Sequence, residues 1–330
     1  MQLGLIGLGK MGGNMRERMR AAGHEIVGYD INPQVSDVRS LAALVRRLEA
    51  PRVVWTMVAA GDITRKTIAR LAELLEPGDL VIDGGNSRFT DDLENEKLLK
   101  AKGVGYLDCG VSGGIWGLKN GYGLMVGGTA ANVRRAMPIF DALRPDGPRD
   151  EGFVHAGSVG AGHYTKMVHN GIEYGLMQAY AEGYELLTRK EIVQDVPGAF
   201  KAWSRGTVVR SWLLDLMVDA LEKNPTLEDV SDYTVDSGEG KWTVEEAVAL
   251  DVPMPVISAS LFARFASRQG TSPAMQAVAA LRGEFGGHQV MTVAEGNSLR
   301  AGVETPSAAT KPAARQRARS KKAAQKRTDA

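Results

Sequence analysis

A single cysteine, Cys109, stands among 330 residues. One thiol allows no intrachain disulfide, which suits a reducing compartment, and we read the chain as cytoplasmic. Long apolar runs are missing too. Nothing approaches the roughly 20 residues needed to cross a bilayer, and the chain opens directly on a strand-like run, leaving no room for a signal peptide. Charge of one sign is also lacking: 40 basic against 39 acidic residues leave +1, too little to steer a polyanion. No metal-ligand cluster is visible, so no metal is expected. Apolar residues at 44% and charged residues at 24% are ordinary for a globular protein. Glycine is plentiful at 39, which implies many tight turns or close backbone approaches. The length exceeds that of one compact domain, so two folded units are expected.

From Gln2 to about His155 short apolar runs alternate with helical patterns: Leu3 to Ile6, Glu25 to Tyr29, Val53 to Val58, Leu80 to Ile82 and Val104 to Leu107. This rhythm predicts a parallel sheet with covering helices. Ile68, Leu71, Ala72 and Leu75 mark one such helix, stopped at Pro77-Gly78. After Gly160 the alternation ends. Residues 161 to 189 run without proline, with Val168, Ile172, Gly175, Ala179, Gly183 and Leu186 on one helical face. Helical signals continue to about Val290, broken by Pro197, Pro225, Pro253 and Pro255. From about Gly296 the composition shifts to Ala, Thr, Pro, Lys and Arg, which cannot bury a core. The expected organisation is an α/β Rossmann-type nucleotide-binding domain over 1–159 and an all-α substrate and oligomerisation domain over 160–295. A basic, disordered tail follows over 296–330, where weak contact with nucleic acid is the functional alternative to solubilisation.

Gly7-Leu8-Gly9-Lys10-Met11-Gly12 follows the first strand and opens a helix, the context in which G-x-G-x-x-G signals a dinucleotide. Gly7 permits the turn, Gly9 lets backbone approach a pyrophosphate, and Gly12 lets helix and strand pack closely. Leu8 and Met11 belong to the same loop. Asp30 ends the second strand, where a carboxylate accepts ribose hydroxyls and repels a 2′-phosphate. Ile31 and Asn32 follow with no arginine, so NAD is expected over NADP, which stays possible but weaker.

Two further loops follow predicted strands: Asp83-Gly84-Gly85-Asn86-Ser87 and Cys109-Gly110-Val111-Ser112-Gly113-Gly114. Small residues, exposed amides and neutral polar side chains suit an anionic or polyhydroxylated ligand, although either segment alone also reads as an ordinary turn. Cys109 itself reads as a small buried hydrophobe. Lys166, Asn170 and Glu173 recur at i, i+4 and i+7, within about 60° on one helix face and opposite the apolar stripe. Roughly 10 Å of axis separates Lys166 from Glu173, enough to address different carbons of one small substrate; from spacing alone, an exposed polar face without a catalytic role is the leading reading.

The stretch Gly160-Ala161-Gly162-His163-Tyr164-Thr165-Lys166-Met167-Val168-His169-Asn170-Gly171-Ile172-Glu173-Tyr174 resembles the substrate motif of the 6-phosphogluconate dehydrogenases. Asp83 to Ser87, Asp108 to Gly114, Gly240-Lys241-Trp242 and Phe285-Gly286-Gly287-His288 resemble that family in the same order, so the similarity covers about residues 1 to 290 and points to the short-chain branch. The resemblance implies Lys166 as general base and Glu173 as general acid. It implies that Asn86, Ser112, Gly113, Gly114, His169 and Asn170 hold the sugar acid, with Asn86 also near the coenzyme, and that Tyr174 and Arg264 bind its phosphate. Arg282 and His288 match residues that reach a neighbouring subunit's site, so a homodimer or homotetramer is implied. One departure stands out: Ser237 occupies the place of a phosphate-binding lysine in longer members, which bears on substrate affinity more than on reaction type.

The implied reaction oxidises C3 of 6-phospho-D-gluconate, with neutral Lys166 taking the hydroxyl proton; the β-keto acid loses carbon dioxide, and Glu173 protonates C1 to give D-ribulose 5-phosphate. Such a base needs a lysine pKa well below its ordinary value of about 10.4. A 3-hydroxyisobutyrate-type β-hydroxyacid dehydrogenase is the enzyme alternative, against which Glu173, His169 and the 282–288 segment argue. A nonenzymatic dinucleotide sensor that binds nucleic acid through its tail is the alternative from another class. No membrane partner is expected.

Overall fold

The apolar run Leu3–Ile6 is buried along its whole length, as a central strand covered on both faces requires. In the computed structural model, which describes residues 1–286 and 289–302, it forms β1 (Gln2–Ile6) of a seven-stranded sheet. The chain continues through α1 (Lys10–Ala21), β2 (Glu25–Tyr29), α2 (Leu41–Arg47), β3 (Val53–Thr56), α3 (Asp62–Leu74), β4 (Leu80–Asp83), α4 (Phe89–Lys100) and β5 (Gly105–Ser112). It then enters α5 (Gly117–Asn120), β6 (Gly123–Gly128), α6 (Ala130–Leu143) and β7 (Phe153–Gly157).

The sheet order is β2-β1-β3-β4-β5-β6-β7. Strands β1 to β5 pair in parallel, as predicted, which makes this the Rossmann-type half of the α/β architecture. The edge differs from the expectation of a parallel sheet: β6 runs antiparallel to β5, with Cys109 opposite Val126, and β7 is parallel to β6. Neither β6 nor β7 was legible as a strand. Glycines bracket Leu-Met-Val in β6, and β7 carries His155 and ends on Gly157, so both read as loop. Two apolar cores flank the sheet, one around Trp55, Phe140 and Tyr122, the other around Ile68, Leu71 and Tyr106. Cys109 is buried in the first, and burial, with Asp108 and Asp83 adding repulsion, pushes its thiol well above the usual range.

Beyond β7 the described chain is helical, as expected: α7 (Ala161–Arg189), α8 (Val196–Trp203), α9 (Trp212–Lys223), α10 (Glu239–Ala249), α11 (Pro255–Ser267), α12 (Pro273–Gly286) and α13 (Val293–Gly302). Side-chain caps start α8 at Asp195 and α9 at Ser211. The chain divides into two compact units. The first joins Met1–Ile172 to Ser237–Met254; the second joins Glu173–Asp236 to the chain from Pro255 on. Within the second, Phe200, Leu214, Val218 and Leu221 form a small core with Tyr180 and Tyr184. Helix α13 crosses residue 296, where the basic composition begins. The expectation of a disordered tail otherwise falls on residues 303–330, which lie outside the described residues. Among the described residues no helix is long and apolar enough to cross a membrane.

The glycine loop shows why two of its positions admit no side chain. A Cβ on Gly12 would meet the Gly7 carbonyl oxygen at 1.9 Å, and Gly7 itself holds φ +89° with the Met57 carbonyl oxygen 2.3 Å from where its Cβ would stand. Gly12→Ala should therefore lower stability by about 1–3 kcal/mol through overpacking and weaken dinucleotide binding at least tenfold. Urea unfolding and coenzyme titration check both.

Candidate active site

Gly9, the residue before α1, has open space where Gly7 and Gly12 have packed backbone: a Cβ there would meet nothing within 4 Å. That opening lies at the amino end of a 12-residue helix, where amide groups and the helix dipole favour an anion. It sits at the switch point where β1 lies between β2 and β3, the place a doubly wound sheet offers a dinucleotide. Leu8 is buried and Met11 packs partly against the core, so both hold the loop through apolar contact. Asp30 accepts the Leu8 amide at 2.6 Å and the Asn32 amide at 2.8 Å. A carboxylate has about four acceptor sites, which leaves room for ribose hydroxyls as well. Ile31 is exposed, while Arg20 is held at 2.8 Å by Asp37. The loop thus offers an open, amide-lined site beside the Asp30 carboxylate.

The second part of the site is built by docking α7 onto the carboxyl ends of β4 and β5. Asp108, fully buried at β5, accepts the Gly160 amide at 2.7 Å with one oxygen and the His163 amide at 2.9 Å with the other. It thereby satisfies the exposed amides of the helix start and opposes the dipole there. Gly110 lets the helix come close: a Cβ would stand 2.3 Å from the Lys166 Cβ. One turn in, His163 Nδ1 donates to Asp92 Oδ2 at 2.8 Å, and the Tyr106 hydroxyl donates to the other Asp92 oxygen at 2.8 Å. Asp83 takes Thr56, Gly85 and Ser87 as donors, which shapes the loop that carries Asn86. Asp83, Asp92 and His163 bring ligating atoms within 4.8 Å of one another. Each of these carboxylate oxygens already has a protein donor, so we read the group as a hydrogen-bonded network.

Charge in this network is arranged by burial. Burial alone pulls the His163 imidazolium down, but attraction to Asp92, with Asp83 and Asp108 adding to it, prevails and lifts its pKa to about 10. Burial raises Asp92 to about 6 against the pull of His163, so both partners are charged near neutrality.

The predicted substrate residues fall into two groups. In the first unit, Ser112 Oγ and His169 Nε2 share a hydrogen bond of 3.4 Å, His169 Nδ1 donates to Asn170 Oδ1 at 3.1 Å, and Lys166 Nζ donates to the same oxygen. Gly113 and Gly114 continue the Ser112 loop, and Asn86 lies on the β4 loop with its amide donating to Glu239 Oε1 on α10. In the second unit the Arg264 guanidinium lies over the Tyr174 ring, 3.4 Å from its centroid. Glu173 begins that unit on α7, and Arg282 is exposed on α12. His288 lies outside the described residues. The expected polarity of α7 is reversed: Lys166, Asn170, Met167 and Tyr174 are buried, whereas Ile172 is 53% and Leu186 72% exposed. The helix buries its polar face because the Asp108 network and the Ser112 loop lie there, and acceptors for its polar groups make that burial tolerable. Glu239, Asp92 and His163 were not singled out from sequence; the acid held between Gly238 and Gly240, just ahead of Lys241-Trp242, was the available signal for the first.

A glycine loop on a parallel sheet, followed by a helix presenting lysine, histidine and asparagine beside a Ser-Gly-Gly turn, defines a dinucleotide-dependent oxidoreductase. Residues 2–145 match the NAD binding domain of 6-phosphogluconate dehydrogenase, and residues 162–301 match that enzyme's C-terminal domain. The chain belongs to the 6-phosphogluconate dehydrogenase family. It is 42% identical over 300 residues to the NAD(+)-dependent, decarboxylating 6-phosphogluconate dehydrogenase of Haloferax volcanii, covering 88% of this chain and 98% of that one. The NAD(+)-dependent enzyme of Bacillus subtilis is 36% identical over 286 residues, of whose length this chain covers 61%. The solved Plasmodium falciparum 6-phosphogluconate dehydrogenase superposes with a TM-score of 0.75 at 27% identity, covering 89% of this chain and 66% of that one. The Mycobacterium tuberculosis 3-hydroxyisobutyrate dehydrogenase, at 23% identity and a TM-score of 0.65, shares the fold. The 3-hydroxyisobutyrate alternative is therefore not favoured.

The buried pair has a measurable signature. The His163 contribution is fully present below the unfolded imidazole value of 6.5 and is lost as pH rises through about 10. Unfolding free energy should fall across that window by up to about 1.4 kcal/mol per pH unit. In His163→Gln that slope should flatten, with about 3–5 kcal/mol lost near neutrality. Urea melts at stepped pH check this.

Proposed function

We propose that the protein oxidatively decarboxylates 6-phospho-D-gluconate to D-ribulose 5-phosphate with NAD as the preferred oxidant, in the cytoplasm. The observation that carries this reading is the joined Lys166–Asn170–His169–Ser112 hydrogen-bond chain beside a glycine loop that fits a dinucleotide. The names of the Haloferax volcanii and Bacillus subtilis relatives support the same reaction and coenzyme.

With the pyrophosphate of the dinucleotide held at the Gly7–Gly12 loop, its nicotinamide end would supply a hydride acceptor. Lys166, neutral for this step, takes the C3 hydroxyl proton as the hydride leaves C3. The same residue then returns a proton to the C3 oxygen while the carboxylate departs as carbon dioxide, leaving an enediol. Glu173 protonates the carbon that lost the carboxylate, C2 of the substrate and C1 of the product, as the enediol hydroxyl at the former C3 returns its proton to Lys166 and becomes the ketone. Asn170 orients the Lys166 amine, Ser112 and His169 would hold sugar hydroxyls with Gly113 and Gly114 closing the turn, and Asn86 would serve both substrate and coenzyme. Tyr174 and Arg264 receive the phosphate, for which a guanidinium is the suited donor. Ser237, where longer members carry a lysine, leaves more of that work to Arg264.

Assembly is part of the proposal. Arg282 and His288 serve a neighbouring subunit's site, giving a homodimer or homotetramer. The exposed Ile172, Leu176 and Leu186 on α7 supply apolar surface for such an interface.

Purified protein given 6-phosphogluconate and NAD should form NADH and carbon dioxide in a 1:1 ratio, and Lys166→Met should suppress both at least a thousandfold while NAD affinity stays within a few-fold. Coenzyme reduction without carbon dioxide would refute the decarboxylation.

Coenzyme choice rests on Asp30. A carboxylate beside a 2′-phosphate disfavours NADP by a few kcal/mol, on the order of the Coulomb energy at intermediate dielectric. Asp30→Asn with Ile31→Arg should shift the ratio of kcat/KM for NADP over NAD upward by at least tenfold; a parent that prefers NADP contradicts this role of Asp30.

A further inference from the structure

Glu239 is a charged side chain 2% exposed, standing in the first turn of α10. One of its oxygens accepts the Asn86 side-chain amide; the other is buried and has no hydrogen-bond partner among the described residues. With its NH2 turned toward Glu239, Asn86 leaves its carbonyl oxygen on the open side, since Asn86 itself is exposed. The Asn86 amide is also the single side-chain donor serving this carboxylate among the described residues. Rotating Asn86 away would leave a buried acceptor with no compensation, which holds the amide in one orientation.

The ground beneath the pair is firm. Arg88, two residues after Asn86, pairs with Glu245 at 2.7 Å, so a second bond ties the β4 loop to α10. The Thr243 hydroxyl donates to the Met167 carbonyl at 2.9 Å, and a Cβ on Gly171 would stand 2.7 Å from Thr243, so the same helix turn is seated on α7 next to Lys166 and Asn170. The α10 helix dipole favours a negative charge in its first turn.

We propose that Glu239 is a positioning residue. It fixes the flip of the Asn86 amide so that a carbonyl oxygen, never the NH2, faces the bound ligands, where it accepts from a substrate hydroxyl or from the nicotinamide carboxamide. The site thereby selects a donor at that point and rejects an acceptor. This rests on the substrate and coenzyme reading above.

A reciprocal swap tests it in the full chain, with 6-phosphogluconate and NAD as ligands. Glu239→Leu removes the acceptor and should lower kcat/KM for 6-phosphogluconate tenfold or more; Glu239→Gln, whose carbonyl still accepts from Asn86, should recover most of that loss. Asn86→Asp sets two carboxylates face to face and should lower kcat/KM by at least a hundredfold. In the Glu239→Gln background the same change should cost at least tenfold less, because the glutamine amide now donates to the introduced carboxylate and an acceptor still faces the ligand. A merely structural Glu239 gives no such rescue. Equal damage by Asn86→Asp in both backgrounds, or unchanged kinetics in Glu239→Leu with an unchanged melting temperature, overturns the proposal. If the parent does not turn over 6-phosphogluconate, the reading of function fails by itself. The pair is then judged by NAD affinity: rescue of Asn86→Asp by Glu239→Gln supports the positioning role, and its absence overturns it.

Discussion

Everything in the substrate half of the first unit depends on one buried carboxylate. Asp108 receives two amides from the start of α7 and so fixes where that helix begins against β5. The position of Lys166 follows, since its Cβ is seated against Gly110, and so does the alignment of His169 with Ser112. A carboxylate at this depth is costly unless its oxygens are hydrogen-bonded. Two backbone amides at the positive end of a long helix give each oxygen a donor.

A second layer of charge secures the first. Asp92 and His163 are both nearly inaccessible, and Tyr106 completes the pair. Replacing such a pair with apolar residues can be neutral for stability, whereas removing one partner is not. What the pair adds is geometry: it clamps the first turn of α7 to α4 with direction, which apolar packing lacks. The cofactor loop is built by other means, from packed glycines and the Asp30 carboxylate holding the Leu8 amide. The glycine loop and the Lys166–Ser112 cluster therefore rest on separate physical supports within one unit.

Much of this was legible in sequence, and the limits have physical reasons. Strands β1 to β4 show because sheets covered on both faces need continuous apolar runs. Gly7, Gly9 and Gly12 show because their spacing has one structural meaning in that context. Strand β6 hid behind its glycines, and with it the antiparallel edge. Helix α7 was found with its bounds but turned inside out: periodicity assumes that the apolar face is the buried one, and here Ile172 and Leu186 stay exposed while Lys166 and Asn170 are covered. Hydrophobic pattern carries no information about where a polar network awaits a helix. Asp92, His163 and Glu239 escaped for the same reason, since each is a charged residue whose burial only the tertiary fold creates.

The most direct test is Asp108→Asn, read by two titrations on the same folded protein. Asparagine keeps one acceptor oxygen but sets an NH2 against a backbone amide, so the start of α7 loses half its anchor. Kd for NAD, measured by quenching of intrinsic fluorescence, should stay within about threefold of the parent, because the glycine loop and Asp30 are untouched. In contrast, kcat/KM for 6-phosphogluconate should fall at least a hundredfold. Turnover near the parent level in a variant that binds NAD normally would contradict the claim that this carboxylate places the substrate helix.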